Sequence, residues 1–84
     1  MKTILAIEDD PRIQKALVRL FASEGYEVQV EGEGKAWLAA CRRMRPSAVV
    51  LDLMLPGMSG RDLCRMMKDT QPETPVVILS AEAM

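Results

Sequence analysis

Acidic and hydroxyl side chains follow three separate apolar runs of this sequence. Glu8, Asp9 and Asp10 come directly after the first run, Asp52 ends the second, and Ser80 follows the third. Short apolar runs are typical of buried strands, so these polar groups are predicted at strand ends. Oxygen ligands without histidine or cysteine nearby are the set that Mg²⁺ prefers. The pattern therefore predicts a magnesium site at one end of a sheet.

Each of these residues also has an ordinary structural explanation. Acidic residues favour the start of a helix, which accounts for Asp10, while Asp52 alone fits a hydrogen-bonded strand end and Ser80 alone fits a turn. Together they favour a site, because two charges about 4 Å apart interact by about 4 kcal/mol at an effective dielectric of about 20. A cation shared by Glu8, Asp9 and Asp52 would relieve that repulsion.

The composition predicts one small globular domain. The chain has 84 residues and a net charge of −1, which gives no electrostatic reason for direct binding to nucleic acid or an anionic membrane. No histidine is present, so histidine general-base catalysis, histidine metal sites and a role as phosphohistidine donor are excluded. No apolar run is long enough to span a bilayer and no signal peptide is recognised. We expect a cytoplasmic protein with Cys41 and Cys64 as buried free thiols.

The first strand and helix are well marked. Thr3–Ile7 is predicted as a buried strand, and the following helix has Asp10 as its N-cap and Pro11 in its first turn. Gly25 is predicted to stop that helix. The apolar face of the helix is predicted from residues at helical spacing: Ile13, Leu17, Leu20 and Phe21.

The second strand and helix follow. Residues 26–30 alternate apolar and polar side chains, as a half-exposed or edge strand does. The second helix is ended by Pro46 and carries its apolar residues at helical spacing: Trp37, Leu38, Cys41 and Met44. Three arginines crowd its end: Arg42, Arg43 and Arg45. The helix dipole favours cations there, and a basic patch for nucleic acid is the alternative.

The last elements complete a repeating order. A central strand is predicted over Ala48–Asp52, and residues 56–57 form a Pro-Gly turn. Ser59 or Gly60 is predicted to cap a third helix, and residues 75–79 form a fourth strand. The apolar face of the third helix comprises Leu63, Met66 and Met67. The order β-α-β-α-β-α-β with short connections predicts a parallel sheet with helices on both faces, so the polar strand ends share one edge.

These segments together resemble the receiver domain of bacterial two-component response regulators, over the whole length of the chain. The matching segments are ILAIEDDP at residues 4–11, VLDLMLPG at 50–57, SG at 59–60 and PVVILSA at 75–81. The combination is highly specific, and VLDLMLPG resembles the subgroup often linked to winged-helix DNA-binding domains. The resemblance implies a flavodoxin-like, doubly wound α/β fold whose four strands here have the order 2-1-3-4.

The resemblance also implies a role for each candidate residue. Asp52 would take a phosphoryl group from a phosphohistidine of a sensor histidine kinase. Asp9 and Asp52 would bind Mg²⁺ with side-chain oxygens, the backbone carbonyl of Met54 would add a ligand, and Glu8 would act directly or through water. Ser80 would hydrogen-bond a phosphoryl oxygen. Such a phosphoacceptor controls an output, here transcription, and DNA would be contacted only by an output domain outside residues 1–84.

The chain departs from the family after its fourth strand. The fourth helix, fifth strand and fifth helix of the family have no counterpart before Met84, and neither have its phosphoryl-pairing lysine and its switch aromatic residue. We therefore expect residues 1–84 to be an incomplete receiver domain. It is either a piece of a longer protein or a short protein that covers its open sheet by dimerisation or partner binding. In both cases Val76–Leu79 is predicted as a sheet edge with apolar side chains that no helix covers on one face.

Two alternative functions stay open at this point. One is a phosphorylation-independent interaction or dimerisation module with the same fold. The other is a Mg²⁺-dependent aspartyl phosphatase with Asp52 as nucleophile. Met54 occupies the position at which such an enzyme needs an acid/base carboxylate, so the sequence favours a phosphoacceptor over an enzyme.

Overall fold

The strands and helices alternate as predicted. The computed structural model describes residues 2–52 and 59–79, except for the side chains of Asp52 and Leu79. Within these ranges the elements are β1 Thr3–Ile7, α1 Pro11–Ser23, β2 Glu27–Glu31, α2 Gly34–Met44, β3 Ala48–Asp52, α3 Gly60–Thr70 and β4 Val76–Leu79. The strands pair in parallel in the order β2-β1-β3-β4. This topology confirms the predicted flavodoxin-like α/β fold.

The helix ends follow the local signals in the sequence. The side chain of Asp10 caps α1 and that of Ser59 caps α3, each by accepting a hydrogen bond from a backbone N–H two residues later. Gly25 follows α1 with a φ of +88°, a conformation that glycine adopts without steric cost. At the end of α2 the left-handed position is taken by Arg45, with a φ of 49°, directly before Pro46. The predicted caps and stops are confirmed.

Two apolar layers lie on opposite faces of the sheet. Alternate residues of β1 and β3 face α2 and α3 in the larger layer, which comprises Leu5, Ile7, Val49, Leu51, Trp37, Ala40, Cys41, Leu63 and Met67. The intervening residues face α1 in the smaller layer, which comprises Ile4, Ala6, Val50 and Leu17. Strand β1 is therefore covered on both faces, as a central parallel strand should be.

Three residues of the predicted apolar helix faces are exposed to solvent. Ile13 and Leu20 of α1 are 41% and 59% exposed, and Met66 of α3 is 43% exposed, so the predicted apolar faces are only partly buried. Helical periodicity marks an apolar stripe but not the width of the surface that covers it. Leu17 fills the contact with the sheet from α1, and Ile13 and Leu20 lie beside that contact.

Strand β4 forms an uncovered edge. Val77 and Ile78, which point to opposite faces of the sheet, are 48% and 50% exposed, and β3 is the neighbour of β4 in the described sheet. The predicted apolar edge is confirmed for these two residues.

Among the helices of the described ranges, none combines the length and apolar character needed to traverse a bilayer.

Candidate functional site

The sheet register places the candidate strand ends next to each other. Ile7 of β1 pairs with Leu51 of β3 and with Glu31 of β2. Glu8 and Asp52 are the next residues along β1 and β3, and neighbouring strands lie about 4.8 Å apart. Two acidic positions, distant in the sequence, therefore meet at the carboxyl edge of the sheet, where open α/β folds place their ligands.

Glu8 is buried directly at this edge. It is 3% exposed, and its backbone N–H donates to the carbonyl of Glu31 at 3.1 Å. Its carboxylate Oε1 accepts a hydrogen bond from the N–H of Asp10 at 3.1 Å. A buried carboxylate is costly to keep unless its oxygens have partners. The turn after β1 therefore holds an acidic group inside the protein, which a purely structural turn does not need.

Asp9 and Asp10 differ although they are adjacent. Asp9 is exposed, as a residue that meets a hydrated cation would be. Asp10 accepts from the backbone N–H of Arg12 at 2.9 Å and lies 3.1 Å from the Arg12 guanidinium. The hydrogen bond from the Arg12 side chain is the main reason that the pKa of Asp10 is below its ordinary value. Asp10 therefore serves helix α1, as its predicted capping role requires.

Gln14 contacts the site and has no role in the sequence-based predictions. Its amide Nε2 donates to the backbone carbonyl of Glu8 at 2.6 Å. Helical side chains point back toward the start of their helix, so a glutamine in the second turn of α1 can reach Glu8, two residues before the cap Asp10. That spacing is the signal that could have identified it.

The apolar layer beneath the edge contains the one tryptophan of the chain. Trp37 is fully buried and shares the larger layer with Ile7 and Leu51, the residues that precede Glu8 and Asp52. Its indole Nε1 has no hydrogen-bond partner among the residues described. The residues that lead into the carboxyl edge are therefore packed in the same apolar layer as this aromatic side chain.

The donor set fits a hard cation. Glu8 and Asp9 contribute carboxylates, the backbone of Asp52 lies beside Glu8, and no imidazole competes for the position. Within residues 2–52 and 59–79 no cluster of three or more metal-ligating side chains forms. The Asp52 side chain, Met54 and Ser80 lie outside the described part, so their predicted roles stay predictions.

Sequence comparison identifies relatives of this chain. Residues 4–84 match the family model of the response regulator receiver domain. The chain is 42% identical over 79 residues to the DNA-binding response regulator MtrA of Mycolicibacterium smegmatis, covering 94% of this chain and 34% of the relative. It is 38% identical over 80 residues to the probable transcriptional regulatory protein TcrX of Mycobacterium tuberculosis, covering 95% and 34%. The chain therefore spans about a third of the length of these relatives.

Solved structures share the fold. The response regulator TrrA of Thermotoga maritima, solved in complex with Mg²⁺-BeF, aligns with a TM-score of 0.91 and 28% identity over 96% of this chain and 70% of TrrA. A structure of the histidine kinase ThkA in complex with TrrA gives a TM-score of 0.89, with the same identity and coverage. The similarity thus extends across nearly all of the present chain but only part of each neighbour.

Proposed function

Because the chain belongs to the family of response regulator receiver domains, we propose that it is a phosphoacceptor signalling domain that takes a phosphoryl group onto Asp52 from a sensor histidine kinase. One observation carries the proposal. The sheet register brings the backbone of Asp52 next to the buried Glu8 at the carboxyl edge, and the exposed Asp9 follows Glu8 directly in the chain. This position, and not the presence of acidic residues alone, supports a site for an anionic phosphoryl group and a cation.

Mg²⁺ is the proposed metal. Asp9 and Asp52 would hold it with carboxylate oxygens, the carbonyl of Met54 would add a ligand, and Glu8 would bind directly or through water. When bound, Mg²⁺ would neutralise charge on the phosphoryl oxygens and so permit the approach of an anionic carboxylate. The Mg²⁺-BeF complex of TrrA supports this choice of metal by analogy.

The proposed reaction moves one phosphoryl group between two side chains. A carboxylate oxygen of Asp52 attacks the phosphorus of a phosphohistidine on the kinase, the P–N bond breaks, and the imidazole leaves with the bonding electrons. Ser80 would then donate a hydrogen bond to a phosphoryl oxygen. Such transfer depends mainly on positioning and charge stabilisation. Hydrolysis of the aspartyl phosphate would be self-directed, so we expect no turnover of a separate substrate.

Partners and compartment follow from this role. The complex of ThkA with TrrA supports docking to a histidine kinase, and the names of MtrA and TcrX support transcription as the output of a longer protein. DNA would be contacted by an output domain outside the present residues. We place the reaction in the cytoplasm, a reducing compartment in which the free thiols of Cys41 and Cys64 would stay reduced.

We also propose that residues 1–84 form an incomplete receiver domain. Exposed apolar side chains lie on β4 and on both helix layers, with Val77 and Ile78 on the strand, Ile13 and Leu20 on α1, and Met66 on α3. A further strand with a helix on each face would cover this surface, and the 70% coverage of TrrA leaves room for such a segment.

The phosphoacceptor role can be tested on the chain itself. Incubation with Mg²⁺ and phosphoramidate should add one phosphoryl group, detected by intact-protein mass spectrometry, and Asp52→Asn should abolish the addition. Asp69→Asn is the matched control, since Asp69 is an exposed carboxylate on α3 away from the carboxyl edge. Modification that persists in Asp52→Asn would exclude Asp52 as the acceptor.

A phosphorylation-independent interaction module is the second candidate. The exposed apolar edge at Val77 and Ile78 is the observation that favours it. Self-association that is unchanged in Asp52→Asn, combined with no modification by phosphoramidate, would support this alternative. Phosphorylation of Asp52 would instead support the phosphoacceptor proposal.

A further inference from the structure

We infer that Gln14 is a positioning residue for the acidic turn Glu8–Asp10, and that it sets the affinity of the carboxyl edge for Mg²⁺. The inference rests on the proposed function, because it concerns the same metal site. Gln14 itself would not touch the cation. It would act by holding the backbone from which the carboxylates of Glu8 and Asp9 project.

The contact joins the strand end to the helix. The Gln14 side chain donates from Nε2 to the carbonyl oxygen of Glu8 at 2.6 Å. The Gln14 backbone N–H donates to the carbonyl oxygen of Asp10 at 2.9 Å. One residue of α1 therefore bonds the backbone at both ends of the acidic turn, so the turn is closed from the helix side.

The Glu8 carbonyl, which accepts the hydrogen bond from Gln14, lies next to Asp9 in the backbone. Ladder pairing of β1 with β2 and β3 runs through Ile7, so Glu8 is the first residue beyond the register. The Glu8 carbonyl belongs to the peptide group that leads into Asp9. Holding this peptide plane restricts the directions in which the Asp9 side chain can leave the strand. The hydrogen bond from Asp10 N–H to the Glu8 carboxylate then depends on the same turn.

The surroundings of Gln14 allow its amide to be removed without a clash. Gln14 is half-buried and lines an open cleft of about 360 Å³ between α1 and β2, together with Lys15, Val18, Arg19 and Val30. Methionine has nearly the length of glutamine but no N–H donor. Gln14→Met therefore removes the hydrogen bond to Glu8 and retains most of the packing.

A second glutamine provides a matched control at the opposite edge of the sheet. Gln71, which follows α3, donates from Nε2 to the backbone carbonyl of Cys41 at 2.7 Å and so joins the ends of α3 and α2. The two bonds have the same donor, the same kind of acceptor and nearly the same length. Gln71→Met should therefore remove a bond of the same kind, together with the 3.3 Å bond that the Gln71 Oε1 accepts from the Thr74 hydroxyl, without touching the acidic turn.

Mg²⁺ affinity is the decisive measurement. Titration of the chain with MgCl₂, followed by the amide NMR signals of Asp9 and Asp52, should give a dissociation constant about tenfold higher for Gln14→Met than for the unaltered chain. Gln71→Met should stay within about twofold of the unaltered chain, because its lost bonds are remote from the metal. Equal affinities in Gln14→Met and the unaltered chain would overturn the role of Gln14. Absence of Mg²⁺ binding by the unaltered chain would instead overturn the proposed function.

Hydrogen exchange tests the positioning without metal. In Mg²⁺-free buffer the Asp10 amide should exchange faster in Gln14→Met, since its bond to the Glu8 carboxylate depends on the fixed turn. The same amide should be unaffected in Gln71→Met. Unchanged exchange of Asp10 in Gln14→Met would show that the turn holds its shape without the amide, and would refute the inference whatever the result with Mg²⁺.

Discussion

Strands β1 and β4 are both runs of apolar residues, but they occupy opposite environments in the sheet. Residues 4–7 of β1 are buried on both faces by α1 on one side and by α2 and α3 on the other. Val77 and Ile78 of β4 remain about half exposed. The difference teaches that apolar composition identifies a strand, whereas the number of neighbours decides how much each side chain stabilises the fold.

Substitution in the central strand should have the largest effect. Leu5→Ala removes a fully buried side chain from the larger apolar layer and should lower the free energy of unfolding by about 3 kcal/mol. Urea unfolding followed by circular dichroism measures the loss. Leu20→Ala is the control, because the exposed Leu20 should cost less than about 1 kcal/mol. Equal losses at both positions would refute the contrast between buried and exposed apolar residues.

Substitution at the edge should alter association more than stability. The double variant Val77→Lys with Ile78→Lys should reduce self-association in sedimentation velocity, because lysines on an edge strand oppose pairing with another chain. Its free energy of unfolding should change by less than about 1 kcal/mol. Glu27→Lys on β2 makes the same change in net charge without removing apolar surface, and should leave association intact. A similar decrease in both variants would point to net charge as the cause.

The contrast between buried and exposed residues also applies to the chemical reactivity of the two cysteines. Burial raises the pKa of the Cys41 thiol to about 12, so at pH 8 its thiolate fraction should be on the order of a thousandfold below that of an exposed cysteine. Iodoacetamide should therefore label the half-exposed Cys64 first, and Cys41 only when urea is present, as peptide mass spectrometry would detect. Labelling of Cys41 at the rate of Cys64 in the folded chain would contradict its burial.

The raised pKa of the Cys41 thiol also determines the direction in which the free energy of unfolding changes with pH. The folded chain keeps the thiol proton to a higher pH than the unfolded chain does. The contribution of the protonated Cys41 thiol to the free energy of unfolding is therefore fully present below pH about 9, and it should be lost as the pH rises toward 12.

Local chemistry and resemblance to a family explain which features could be predicted from the sequence. Asp10, Ser59 and Gly25 act within one or two residues of their own positions, so caps and stops followed directly from residue type. The strand order came from the resemblance. The exposure of Leu20 and Met66 depends on which elements lie beside a helix, and the periodicity of a single helix contains no such information.

The candidate site was predictable where residue type and strand position coincide. Glu8, Asp9 and Asp52 follow apolar runs, and the structure brings their backbones to one edge. Gln14 was missed because glutamine is common on helix surfaces, and its spacing from Glu8 becomes a contact only through the path of the turn after β1.

The register between β1 and β3 limits where the chain can gain or lose a residue. Side chains alternate between the two faces of the sheet, which places Ile7 and Leu51 in the larger apolar layer. The next residue of each chain segment, 8 and 52, then lies at the carboxyl edge. Loss of one codon within β1 would turn its core side chains to the wrong face and would also remove Glu8 from its neighbour Asp52. Gain of a codon in the turn around Gly25 would disturb neither. A change of length within these strands would therefore disturb the fold and the site together.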